Sequence, residues 1–131
     1  MVPSRMILIS VNASAKKATT MDLSDEQPSM KQTMGAVTGI QMHRYNISTI
    51  NLIQHSMTKW TTALSTPEKQ VKPYFIQVKF DDVKDPAEQE FLNAIPTSFN
   101  LTAEQIDALI KAGRQLLRDN PEWQGLLAEF K

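Results

Sequence analysis

Met6-Ile7-Leu8-Ile9-Ser10-Val11 is the densest apolar run in the sequence. Six residues, three of them β-branched, are too few for a stable helix and far short of the ~18–20 that cross a bilayer. A short continuous run of this kind reads as a strand covered on both faces of a sheet, which makes the fold α/β. Arg5 before it and Ala13-Ser14-Ala15 after it superficially imitate the charged, apolar and small-residue parts of a signal peptide. The apolar part is shorter than the ~7–15 residues such a segment uses, so the buried strand is the better reading.

Outward from this strand, Asn12 to Gln27 has no apolar period and reads as a surface loop. Gln27-Pro28-Ser29 reads as a helix start, with proline tolerated in the first turn. Met34, Val37, Ile40, Ile47, Ile50, Ile53, Met57, Trp60 and Leu64 then recur at helical spacing up to Ser65, and Pro67 ends the pattern. One helix over 28–65 would be roughly 57 Å long at ~1.5 Å per residue, longer than a domain of this size is wide. Two alternatives stand: a break near Asn46-Ile47-Ser48-Thr49, or a helix lying along something this chain does not contain.

Tyr74 to Phe80 alternates as a second strand, with Tyr74, Ile76, Val78 and Phe80 on one face and Phe75, Gln77 and Lys79 on the other. Asp81 to Pro86 turns the chain and 87–94 reads as a short helix. Thr102-Ala103-Glu104-Gln105 is a capping box opening a helix over 103–119, with Ile106, Leu109, Ile110, Gly113, Leu116 and Leu117 on one face. Asn120-Pro121 stops it, and 121–130 offers a last helix carrying Trp123, Leu126, Leu127 and Phe130. The whole of 1–131 thus reads as one segment: a partial sheet of about two strands, joined as a β-α-β crossover by a long helix and followed by C-terminal helices. Two strands make a poor sheet, so the remaining strands are expected elsewhere.

At 131 residues the chain suits a single domain. With no cysteine and two histidines it excludes a disulfide scaffold and leaves little for zinc. Lys+Arg 14 against Asp+Glu 14 removes the electrostatic drive for general nucleic-acid binding, and also removes a brake on self-association. The composition is that of a soluble globular chain with no membrane-spanning segment.

No catalytic, cofactor-binding or metal-ligating residue is assigned. Gly35-Ala36-Val37-Thr38-Gly39 has the glycine spacing of G-x-S-x-G, but Val37 stands where a nucleophile is needed, and close helix packing at the two glycines is the simpler reading. No phosphate-cradling glycine loop occurs. His43 and His55 lie twelve residues apart, ~120° round a helix, and do not share a face as paired ligands would. Asp81 and Asp82, adjacent on an extended segment, are expected to point to opposite sides and to serve a turn rather than acid–base chemistry. The sequons at Asn12, Asn46 and Asn100 read as chance matches. Met30, Met34, Met42 and Met57 suit core filling, or an adaptable groove facing lipid or a partner.

Ile95-Pro96-Thr97-Ser98-Phe99-Asn100-Leu101-Thr102, followed by Ile106-Asp107-Ala108-Leu109 and Gly113-Arg114-Gln115-Leu116-Leu117, resembles the C-terminal end of bacterial patatin-like phospholipases. Asn120-Pro121-Glu122-Trp123 resembles that family's closing motif, Tyr74 to Asp81 the strand before it, and Ile7 to Ala13 the strand after the catalytic aspartate region. The resemblance implies a lipid acyl hydrolase using a Ser-Asp dyad. Its G-x-S-x-G, its Asp-Gly-Gly or Asp-Gly-Ala motif and its oxyanion loop are absent here, and no Asp is followed by Gly. What is implied is therefore a non-catalytic C-terminal segment whose partner is the missing N-terminal catalytic half, with a lipid or membrane surface reached through the full-length protein. The alternative is a free-standing helical interaction module that self-associates through its methionine stripe.

Overall fold

Two parallel strands, β1 (Arg5–Asn12) and β2 (Lys72–Lys79), form the sheet, in a register that places Ile7 beside Tyr74, Ile9 beside Ile76 and Val11 beside Val78. Between them in the chain comes α1 (Met30–Leu64), and after β2 follow α2 (Pro86–Ala94), α3 (Ala103–Asp119) and α4 (Pro121–Ala128). The fold is the expected α/β arrangement: a two-stranded parallel sheet with C-terminal helices. The computed structural model describes residues 4–14, 27 and 29–131, so most of the expected Asn12–Gln27 loop, Ala15 and Pro28 lie outside the described residues. The chain divides into two compact units, residues 1–4 with 18–71 and residues 5–17 with 72–131.

The first unit is dominated by α1. Ser29 is its N-cap: the Gln32 N–H donates to Ser29 Oγ at 3.3 Å and the Ser29 N–H donates to Gln32 Oε1 at 2.8 Å, a second capping box. Its 35 residues run unbroken through Asn46–Thr49, which rules out the first of the two alternatives, a break at these residues. Non-ideal helix formers there cost only tenths of a kcal/mol each, about 0.7 at most, and no proline interrupts the hydrogen-bond ladder. The hydroxyls of Thr33, Thr38, Thr58, Thr61 and Thr62 donate to carbonyls four residues back, so these side chains do not compete with the helix. At the C-terminal end Ser65 Oγ donates to the Thr61 carbonyl at 2.7 Å and accepts from the Val71 N–H at 2.9 Å, closing the turn that contains Pro67.

In the second unit α3 and α4 pack on β2. Ile76, Val78, Leu92, Ala112 and Leu126 are its buried apolar residues. Asp85 caps α2 through the Ala87 N–H, and Thr102 caps α3 in the expected box. Three expectations are corrected. Phe80 leaves the strand and starts a 3-10 turn, Phe80–Asp82, closed by the Val83 N–H on the Phe80 carbonyl at 3.1 Å. Asp81 and Asp82 therefore sit in a helical turn, not on an extended segment. Helix α4 ends at Ala128, leaving Phe130 outside it.

Candidate interaction surface

The sheet is covered unevenly. Ile76 is fully buried on β2, whereas its register partner Ile9 is 45% exposed, as is Ile7, and Val11 is 72% exposed. Paired residues of neighbouring strands share a face, so this one face is closed over β2 and open over β1. The expectation that Met6–Val11 is covered on both faces is thus not met: α3 and α4 lean on β2, and Ile7, Ile9 and Val11 are left facing out. Among the described residues no third strand pairs with either outer edge.

Helix α3 presents a second misalignment. Ala112 is its buried residue, while Ile106 and Ile110 are each nearly half exposed. The inward direction runs through Ala108, Leu109, Ala112 and Leu116, rotated from the centre of the apolar stripe. On α1, Met30, Met34 and Met42 are exposed and only Met57 is buried, so core filling describes one of these four methionines.

The strand starts are tied to the chain's C-terminal end by charge. Lys72 Nζ donates to Glu129 Oε1 at 2.7 Å and Arg5 Nε donates to Glu129 Oε2 at 2.9 Å, with the Tyr74 hydroxyl also bonded to this carboxylate. These bonds, first that from Lys72, then those from Tyr74 and Arg5, hold the Glu129 carboxyl down at about 2. The Arg5 guanidinium also lies 4.7 Å from the centre of the Phe130 ring, within cation–π range. This cluster ties the two strand starts to Glu129.

The remaining candidates do not assemble into a reactive site. A Cβ placed on Gly35 or Gly39 would meet nothing within 4 Å, so among the described residues none packs closely at these glycines. His43 and His55 are both exposed on α1. Asp82, Asp85, Glu88 and Asp119 line a shallow cleft of about 220 Å³ in the second unit, where Lys79 meets Asp82, Lys84 meets Asp119 and Lys111 meets Glu88 at 3.5–3.8 Å. Among the described residues no three His, Cys, Asp or Glu side chains come together as a metal site, and no helix is long and apolar enough to cross a membrane. What the arrangement offers is an exposed apolar row, Ile7, Ile9 and Val11, on β1. The Glu129 cluster carried no sequence signal.

Comparison with protein-family models, with curated proteins and with solved structures returns no match.

Proposed function

We propose that this chain is the non-catalytic C-terminal part of a patatin-like lipid acyl hydrolase, and that it completes an α/β domain whose Ser-Asp dyad is carried on a separate stretch of polypeptide. The observation that carries the reading is the open sheet: β1 exposes Ile7, Ile9 and Val11, and its outer edge has no strand among the described residues. The Pro96-Thr97-Ser98-Phe99 segment leading into the capped helix α3, and the order of strand, long helix, strand and helices, support the same reading. Without a nucleophile and oxyanion donors, hydrolysis loses most of its catalytic power, so the chain supplies framework rather than chemistry.

The test is complementation. Alone, the chain leaves p-nitrophenyl esters and phospholipid unhydrolysed and takes no fluorophosphonate label. Co-expressed with a patatin-like N-terminal segment bearing G-x-S-x-G and Asp-Gly-Gly, it yields a labelled, active complex. Esterase turnover by the chain alone, or no turnover by the pair, refutes the reading. The reading frame immediately upstream gives a quick check, since those two motifs are expected there.

A second reading, a free-standing module that dimerises through α1, is favoured by the exposure of Met30, Met34 and Met42. Sedimentation of the chain alone separates the two: a stable dimer lost in Met34→Lys supports the module.

A further inference from the structure

One face of the sheet carries Arg5, Lys72 and Tyr74 at the starts of the two strands. Lys72 is the register partner of Arg5, and Tyr74 follows two positions on, so strand pairing by itself sets these three side chains on one face. They meet on a single carboxylate. Lys72 Nζ donates to Glu129 Oε1 at 2.7 Å, Arg5 Nε donates to Glu129 Oε2 at 2.9 Å, and the Tyr74 hydroxyl bonds to the same group. Donors from both strands, two of them cationic, thus converge on one oxyanion that brings a single negative charge.

The two sides of this contact are held differently. The donors stand on paired strands whose register runs from Arg5 beside Lys72 to Asn12 beside Lys79. Glu129 lies one residue past the end of α4, in a turn closed by the Glu129 N–H on the Leu126 carbonyl at 3.2 Å and the Phe130 N–H on the Leu127 carbonyl at 3.1 Å. Bonds that span three residues have poorer geometry than the α-helical ladder, and helix ends open before helix middles. Gly125 weakens this last turn further, glycine being a poor helix former. Leu126, 2% exposed, keeps the rest of α4 seated. Glu129 can therefore lift away while the three donors stay in place.

We propose that Arg5, Lys72 and Tyr74 form a binding site for a phosphomonoester dianion, which Glu129 fills as a displaceable internal stand-in. A phosphomonoester offers three terminal oxygens to the three donors and two negative charges to the two cations, where the carboxylate offers two oxygens and one charge. Arg5 engages the carboxylate through Nε, and its planar fork suits phosphate through two parallel bonds. The Phe130 ring, 4.7 Å from the guanidinium, is joined to Glu129 and leaves with it, which uncovers that side of Arg5. Ile7, the register partner of Tyr74 and 45% exposed, gives the organic part of the ester an apolar flank. The site needs no second polypeptide, so it stands or falls apart from the acyl hydrolase reading.

The experiment is calorimetric titration of the full chain with inorganic phosphate at fixed ionic strength, chloride being the balancing salt. Glu129→Ala opens the site and should bind phosphate at least tenfold more tightly than the parent. Adding Arg5→Gln, or Lys72→Gln where that variant is unfolded by circular dichroism, should abolish the binding. No binding by folded Glu129→Ala, or binding unchanged by the second substitution, overturns the site. If Glu129→Ala does not fold, nuclear magnetic resonance of the parent decides. Phosphate should then shift the Arg5 Nε–H and Phe130 amide signals together and saturably, and the absence of a saturable shift overturns the site. Phosphatidylcholine vesicles with and without phosphatidic acid distinguish the sources of the ester. Arg5-dependent binding to the phosphatidic acid vesicles supports the site with a lipid ligand, and Arg5-dependent binding to phosphate alone supports it with a soluble one.

Discussion

Arg5 and Glu129 stand 124 positions apart in the sequence, and the Arg5 Nε lies 2.9 Å from the Glu129 carboxylate. The same carboxylate takes Lys72, the register partner of Arg5, so one acidic side chain spans the starts of both strands. The C-terminal end of the chain is thereby fastened to the sheet where the strands have no turn to join them.

This fastening is pH-dependent. Glu129 is held at about 2 in the folded chain against an ordinary 4.5, by the bonds from Lys72, Tyr74 and Arg5. Because the folded value is the lower one, the stabilisation is complete above about pH 4.5 and is lost as the pH falls towards 2. Glu129→Gln should lower the urea midpoint at pH 7, by an amount that shrinks in high salt because the pairs are partly exposed, and the gap to the parent should close by pH 2–3. A pH-independent gap would show that packing, not charge, is lost in the variant.

Asn120 joins α3, α4 and β2, so its loss should exceed that of an ordinary cap. Thr102→Ala removes only the Oγ that accepts from the Gln105 N–H and should cost about 0.5–2 kcal/mol. Asn120→Ala removes an N-cap and also the bond to Gln77, which adds about 0.5–1.5 kcal/mol. Denaturant midpoints should therefore rank parent above Thr102→Ala above Asn120→Ala, and equal values for the two variants would mean that the bond to β2 contributes nothing.

Helix ends and strand positions were legible because their signals are local. Thr102-x-x-Gln105 and Asn120-Pro121 state a start and a stop within a few residues, and the β1 and β2 runs carry their own periods. The Ser29-x-x-Gln32 box has the same local form and was overshadowed by the adjacent Pro28. Apolar spacing gives α3 a stripe without saying which edge of it faces inward, and Ile106 and Ile110 lie on the outer edge, each nearly half exposed. Phe80 continues the alternation of β2 in sequence, although the backbone has already turned. The Glu129 cluster joins residues 57 and 124 positions apart, a distance over which no spacing rule acts.

Gly39 sits inside α1 with a negative φ and open space where a Cβ would stand. Gly39→Ala should therefore stabilise the isolated chain by about 0.5–1 kcal/mol, because the unfolded chain loses conformational freedom that the helix never used. Thermal unfolding followed by circular dichroism reads this directly. If the N-terminal segment packs close to this glycine, the same variant will weaken complementation while stabilising the free chain, and a destabilised free chain would mean that the space at Gly39 is already filled.

Leu126 and Leu127 are neighbours on α4 with opposite surroundings, 2% and 43% exposed. Leu126 is the buried residue of α4, a helix that packs on β2, so truncation removes its transfer energy and leaves a cavity. Leu126→Ala should cost about 2–5 kcal/mol, a large part of the ~5–15 kcal/mol that stabilises a typical domain, and should broaden or abolish the unfolding transition. Leu127→Ala loses only part of its already exposed surface and should cost under about 1 kcal/mol. The two variants share composition and helix propensity and lie at adjacent positions of one helix, so their difference reports packing. Similar midpoints in guanidinium would mean that α4 is not seated on β2 through Leu126, and the Glu129 contacts at the end of that helix would then have to hold it unaided.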